Sequence, residues 1–96
     1  MRHEISLADL QTVTDLHKEL AEHLDFGPYY GSNLSALWDV ITTEVERPLT
    51  IVLHNVDQGR ETLGVEFDRL LDVLRRVAEE DTAKPSTSRF RLEIEG

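Results

Sequence analysis

The segment Leu49-Thr50-Ile51-Val52-Leu53-His54 constrains the fold of this chain more than any other. It is dense in apolar and β-branched residues without strict polar alternation, the pattern of a parallel strand covered on both faces. Pro48 keeps a helix from running far into it. A buried strand needs neighbours, and the chain supplies two. His3-Glu4-Ile5-Ser6-Leu7 alternates polar and apolar residues, and so does Arg89–Glu95, which places Phe90, Leu92 and Ile94 on one side.

The intervening segments read as helices. Thr12 or Thr14 can cap a helix over Thr14–Leu24, where leucines 16, 20 and 24 share a face and Asp15 sits favourably in the first turn. Asp25-Phe26-Gly27-Pro28 ends that helix, and Asn33 can cap a second from Leu34 to Thr43. Val56 to Leu63 is a short polar helix or turn. Residues 67, 70, 71, 74 and 77 fall at helical spacing within Val65–Glu80, and Asp81–Ser88 is a polar loop. Strands separated by helical crossovers favour parallel pairing. The expectation is an α/β fold, a small three-stranded parallel sheet packed by about four helices. With 96 residues and no repeat or linker, residues 1–96 are expected to form a single domain.

Charge narrows the partners. Nineteen acidic against 10 basic side chains give a net charge of -9, a field that repels nucleic acid and anionic membranes and attracts basic proteins. Zero cysteines exclude disulfides, iron–sulfur clusters and thiolate zinc sites. His3, His17, His23 and His54 lack metal-ligand spacing within one element, so no metal or other cofactor is expected. Asp39, Glu44 and Glu46 have no nucleophile pocket or phosphate-cradling glycine loop beside them, which argues against an enzyme. The start, Met1-Arg2-His3-Glu4-Ile5-Ser6, holds no apolar run suited to a signal peptide or membrane span, and a cytoplasmic location is expected. Glu66, Asp68, Asp72, Glu79 and Glu80 read as a solvated helix face balanced by Arg69, Arg75 and Arg76.

The run Tyr29-Tyr30-Gly31-Ser32-Asn33-Leu34-Ser35-Ala36-Leu37-Trp38-Asp39 reads as a binding face. Around the second helix Leu34, Leu37 and Ile41 converge, Trp38 lies at their edge, and Ser35, Asp39 and Thr42 occupy the opposite side. Aromatic rings offer rigid contact area at low entropy cost, and a helix-borne carboxylate beside them can stand in for an anionic ligand. A structural reading of the same residues is that Tyr30 and Trp38 complete the core, Gly31 supplies a positive φ, Asn33 only caps, and Asp39 is merely solvated.

The chain resembles the barstar family, intracellular inhibitors of barnase-type secreted ribonucleases. The likeness is carried by Asp15-Leu16-His17, Tyr29-Tyr30-Gly31-Ser32-Asn33-Leu34, Ala36-Leu37-Trp38-Asp39 and Pro48-Leu49, and extends from about Ile5 to Ala78. It implies a one-to-one complex in which the inhibitor plugs the active site of a small guanyl-preferring ribonuclease. Tyr29 then packs on the enzyme, Gly31 and Asn33 make loop contacts, Trp38 flanks them, and the Asp39 carboxylate replaces a substrate phosphate. Tyr30, Leu34, Ser35, Thr42, Thr43, Glu44, Glu46 and Arg76 complete the expected contact set. Three positions depart from the family prototype: Ser35 replaces an acidic residue, Glu44 a tryptophan and Arg76 a glutamate. These changes imply a cognate ribonuclease other than barnase. They also leave open an interaction module of this fold bound to a basic partner that is not a ribonuclease.

Overall fold

A computed structural model describes residues 1–96. The elements, in order, are β1 (Arg2–Ser6), α1 (Val13–Leu24), α2 (Leu34–Thr43), β2 (Leu49–His54), α3 (Val56–Leu63), α4 (Val65–Asp81) and β3 (Phe90–Ile94), with a 3-10 turn at Ser86–Ser88. The sheet order is β1-β2-β3, and both outer strands run parallel to β2, with Ile5, Leu53 and Ile94 in register. This is the α/β arrangement expected from the alternation of strands and helices. No helix is long and apolar enough to cross a membrane.

Local chemistry sets the helix starts. Thr12 caps α1 reciprocally: its hydroxyl accepts the Asp15 N–H at 3.2 Å, and the Asp15 carboxylate accepts the Thr12 N–H at 3.2 Å. At α2 the Asn33 side-chain oxygen accepts the Ala36 N–H at 2.8 Å. Every one of the seven helices and strands contributes to one cluster of 19 buried apolar residues. Phe67, Leu70, Leu71, Leu74 and Val77 of α4 form its longest row, opposite Leu37, Val40 and Ile41 of α2 and Leu49, Ile51 and Leu53 of β2. Val40 joins the buried face of α2, while Leu34 is only half-buried.

Several expectations need correction. Strand β1 spans Arg2–Ser6, so Leu7 lies beyond it, buried against Gly59 of α3. The β2 strand is buried on both faces as expected, but only one face joins the apolar cluster. Leu49, Ile51 and Leu53 enter the apolar cluster, whereas Val52, although buried, stands outside it. Val52 lies in register between Glu4 and Glu93, and the Arg2 guanidinium reaches Glu93 at 2.9 Å. Charged residues of the two neighbouring strands, with their apolar stems, flank Val52 on that face. The apolar side of β3 fades along the strand: Phe90 is buried, Leu92 half-buried, and Ile94 39% exposed.

Asp81 is the largest departure from the expected polar loop. It ends α4 and is buried, with one carboxylate oxygen accepting from Arg47 Nε at 3.0 Å and from the Phe90 N–H at 2.7 Å. Arg47 also donates to the Ile41 and Val45 carbonyls at 2.6 and 2.8 Å, which satisfies the C-terminal end of α2 and fixes that helix against α4 and β3.

Candidate protein-binding site

Helix α2 buries one side and leaves Ser35, Asp39, Thr42 and Thr43 exposed on the other. The preceding loop is shaped by left-handed backbone at Asp25, Gly27 and Ser32, with φ of 55°, 85° and 51°. Gly31 is not in that region, contrary to the structural reading of its role. Its small size matters for a different reason, because a Cβ there would sit 3.1 Å from Asn33 Nδ2, which donates to the Gly31 carbonyl. Asn33 thus spends its oxygen on α2 and its amide nitrogen on the loop.

The two tyrosines diverge. Tyr29 is 96% exposed and presents its whole ring to solvent. Tyr30 is half-buried, packs against Phe26 with ring centroids 4.8 Å apart and planes tilted by 59°, and pairs its hydroxyl with His17 Nδ1 at 2.6 Å. Burial pushes the Tyr30 hydroxyl pKa up and the His17 pKa down, so a neutral phenol meets a neutral imidazole at physiological pH. The burial of His17 was readable in part: it lies four residues after Val13 and three before Leu20, on the apolar side of α1.

Two grooves flank the exposed side of α2. One, about 350 Å³, lies between the Phe26–Gly31 loop and Ala36, Asp39, Val40 and Glu44. The other, about 370 Å³, is bounded by Leu34, Ser35, Trp38 and Asp39 of α2 and by Val73 and Arg76 of α4. Asp39 is the one residue that borders both. Its carboxylate takes part in none of the protein's ion pairs. Trp38 is half-buried against the core and lines the second groove with its remaining surface.

Thr42 and Thr43 point their hydroxyls back into the helix, to the Trp38 carbonyl at 2.7 Å and the Asp39 carbonyl at 2.5 Å. Arg76 faces the same groove as Asp39. Glu44 borders the first groove, but Glu46 lies on a separate depression with Met1, His3 and His23. The expected contact residues therefore gather around Asp39 except for Glu46, which belongs to the adjoining edge. No cluster of histidines and carboxylates is arranged to hold a metal ion.

The chain matches the family model described as Barstar (barnase inhibitor) over residues 1–94. It is 43% identical over 72 residues to the "Putative ribonuclease inhibitor YrdF" of Bacillus subtilis (strain 168), an alignment that covers 75% of this chain and 79% of that protein. The family match runs through all three parallel strands and through the Tyr29–Asp39 run that borders the two grooves, and the chain belongs to the barstar family.

Proposed function

We propose that this protein inhibits a small, secreted, guanyl-preferring ribonuclease of the barnase type by seating α2 and the Phe26–Gly31 loop in the enzyme's active site. The observation that carries this reading is Asp39, an unpaired carboxylate on the crest between two grooves, in a chain of the barstar family. A carboxylate and a phosphate are both compact anions with several acceptor sites, so Asp39 can occupy the place of a substrate phosphate among basic catalytic side chains. Tyr29, Trp38, Gly31, Leu34 and Ser35 supply the surrounding contact, and water exclusion around Asp39 strengthens its pairing. Asn33 shapes the loop, and the back-bonded Thr42 and Thr43 offer methyl groups and hydroxyl lone pairs at the rim. Acting as a one-to-one plug in the cytoplasm, the protein would protect its own cell before the enzyme is exported.

Arg76 beside Asp39 favours one alternative, a basic partner of another activity that also presents an acidic group to Arg76. The two readings separate in a cleavage assay. RNA hydrolysis by a panel of guanyl-preferring microbial ribonucleases, titrated with the protein, should stop at one equivalent for at least one enzyme. Full activity of every enzyme at a large excess of the protein would move the assignment to the alternative.

A further inference from the structure

A third pocket, about 240 Å³, opens where α1, the start of α2 and α4 meet, and is lined by Val13, His17, Ser32, Asn33, Leu34, Glu66 and Arg69. His17 is only 2% exposed, and its Nδ1 is taken by Tyr30. Its Nε2 has no partner within the protein, yet no fully buried side-chain nitrogen is left unpaired, so the little exposure of this ring includes Nε2. His17 borders this pocket and none of the other four, which makes it the opening available to Nε2.

Three further features point the same way. The N-terminus of α2, a 10-residue helix, enters the pocket at Leu34, and Asn33 caps only the Ala36 N–H, so the Leu34 N–H is free. Arg69 lines the wall, and its guanidinium forms no ion pair with any carboxylate of the chain. The Tyr30 hydroxyl can donate to Nδ1, in the tautomer that puts the proton of the neutral imidazole on Nε2 and lets it meet an anion as a donor. In a chain of net charge -9, these donors gather at one place.

We propose that this pocket is an oxyanion-binding subsite that takes one carboxylate or phosphate group, held by Arg69, the Leu34 N–H and His17 Nε2–H. Glu66 on the rim restricts it to a monoanion, because a second negative charge would face that carboxylate. Such a group can arrive on an acidic side chain of the docked enzyme, since Asn33 and Leu34 border the proposed interface, or as free phosphate. The first source rests on the inhibitor reading, whereas the pocket itself does not.

Titration with sodium phosphate at constant ionic strength, followed by the NMR signals of the His17 ring and of the Ser32, Asn33 and Leu34 amides, tests the pocket without any enzyme. Saturable shifts confined to these signals are expected, about tenfold weaker in Arg69→Gln, the scale of one charge-assisted hydrogen bond, and stronger in Glu66→Gln. Shifts that are absent, or that Arg69→Gln leaves unchanged, overturn the subsite. Affinity for an inhibited ribonuclease then identifies the source. Weakening by Arg69→Gln together with competition by phosphate marks a partner carboxylate, and an affinity indifferent to both marks free phosphate.

Discussion

Arg47 and Asp81, separated by 34 residues, meet at 3.0 Å with their side chains 11% and 5% exposed, and so join the end of α2 to the end of α4 and the start of β3. Burial alone would raise the Asp81 pKa. The Phe90 N–H, Arg47 and Lys84 outweigh that and hold it below the ordinary carboxylate range. A buried pair of this kind is costly to halve, because the survivor keeps its desolvation penalty. Asp81→Asn should therefore destabilise the fold by about 3 kcal/mol, read as a lower denaturant midpoint. Because the folded pKa is depressed, this stabilisation is present above the unfolded value and is lost as pH falls through the folded one.

Asp39→Ala should separate binding from stability. The side chain is exposed and unpaired in the free protein, so denaturant midpoints should agree within about 0.5 kcal/mol. In the complex its removal would strand the enzyme's cations without a counter-charge, and inhibition should weaken by about 3–5 kcal/mol. A variant that unfolds would assign Asp39 to the scaffold.

With a net charge of -9 facing a basic enzyme, association should slow as salt rises while dissociation changes little. Stopped-flow rates between low and physiological ionic strength check this. An association rate indifferent to salt contradicts electrostatic steering.

His54 lies on the solvent side of the sheet, with Nε2 at 2.7 Å from Glu4 and Nδ1 at 2.6 Å from Glu95. The hydrogen bond to Glu4, reinforced by the charges of Glu95 and Glu4, raises its pKa despite some opposing desolvation. Its contribution is complete below the unfolded value of 6.5 and is lost as pH rises through the higher folded value. His17 and His3, both lowered chiefly by burial, act in the opposite sense and lose stability as pH falls. Wild type minus His54→Gln isolates the first effect: the difference in denaturant midpoint should shrink between pH 5.5 and 9, values on the order of one to a few pH units either side of an ordinary imidazole.

Gly59→Ala tests packing against propensity. Alanine favours a helix interior over glycine by about 1 kcal/mol. The new Cβ would fall 2.8 Å from Leu7 Cβ and 2.6 Å from Leu7 Cδ1, and the first of these atoms cannot swing away. Overpacking on that scale costs about 1–3 kcal/mol, so the substitution should lower thermal stability, and a higher melting temperature would contradict this contact.

The sequence alone determined the order and type of the elements, because the 3.6-residue spacing of α4, the β-branched run of β2 and the side-chain caps at Thr12 and Asn33 are local signals. The Tyr29–Asp39 run was equally legible as a chemical surface. Tertiary structure decided what each polar group does there. Whether a tyrosine faces solvent, as Tyr29 does, or gives its hydroxyl to a buried histidine, as Tyr30 does, depends on an α1 residue 13 positions away. Asp81 reads as a loop residue until β3 brings the Phe90 N–H to it, and the burial of Val52 is legible in the sequence whereas its charged neighbours on both outer strands are fixed only by the sheet register. Periodicity records which side of an element is apolar, but the partner that meets that side is set by packing between segments distant in sequence, which no local pattern encodes.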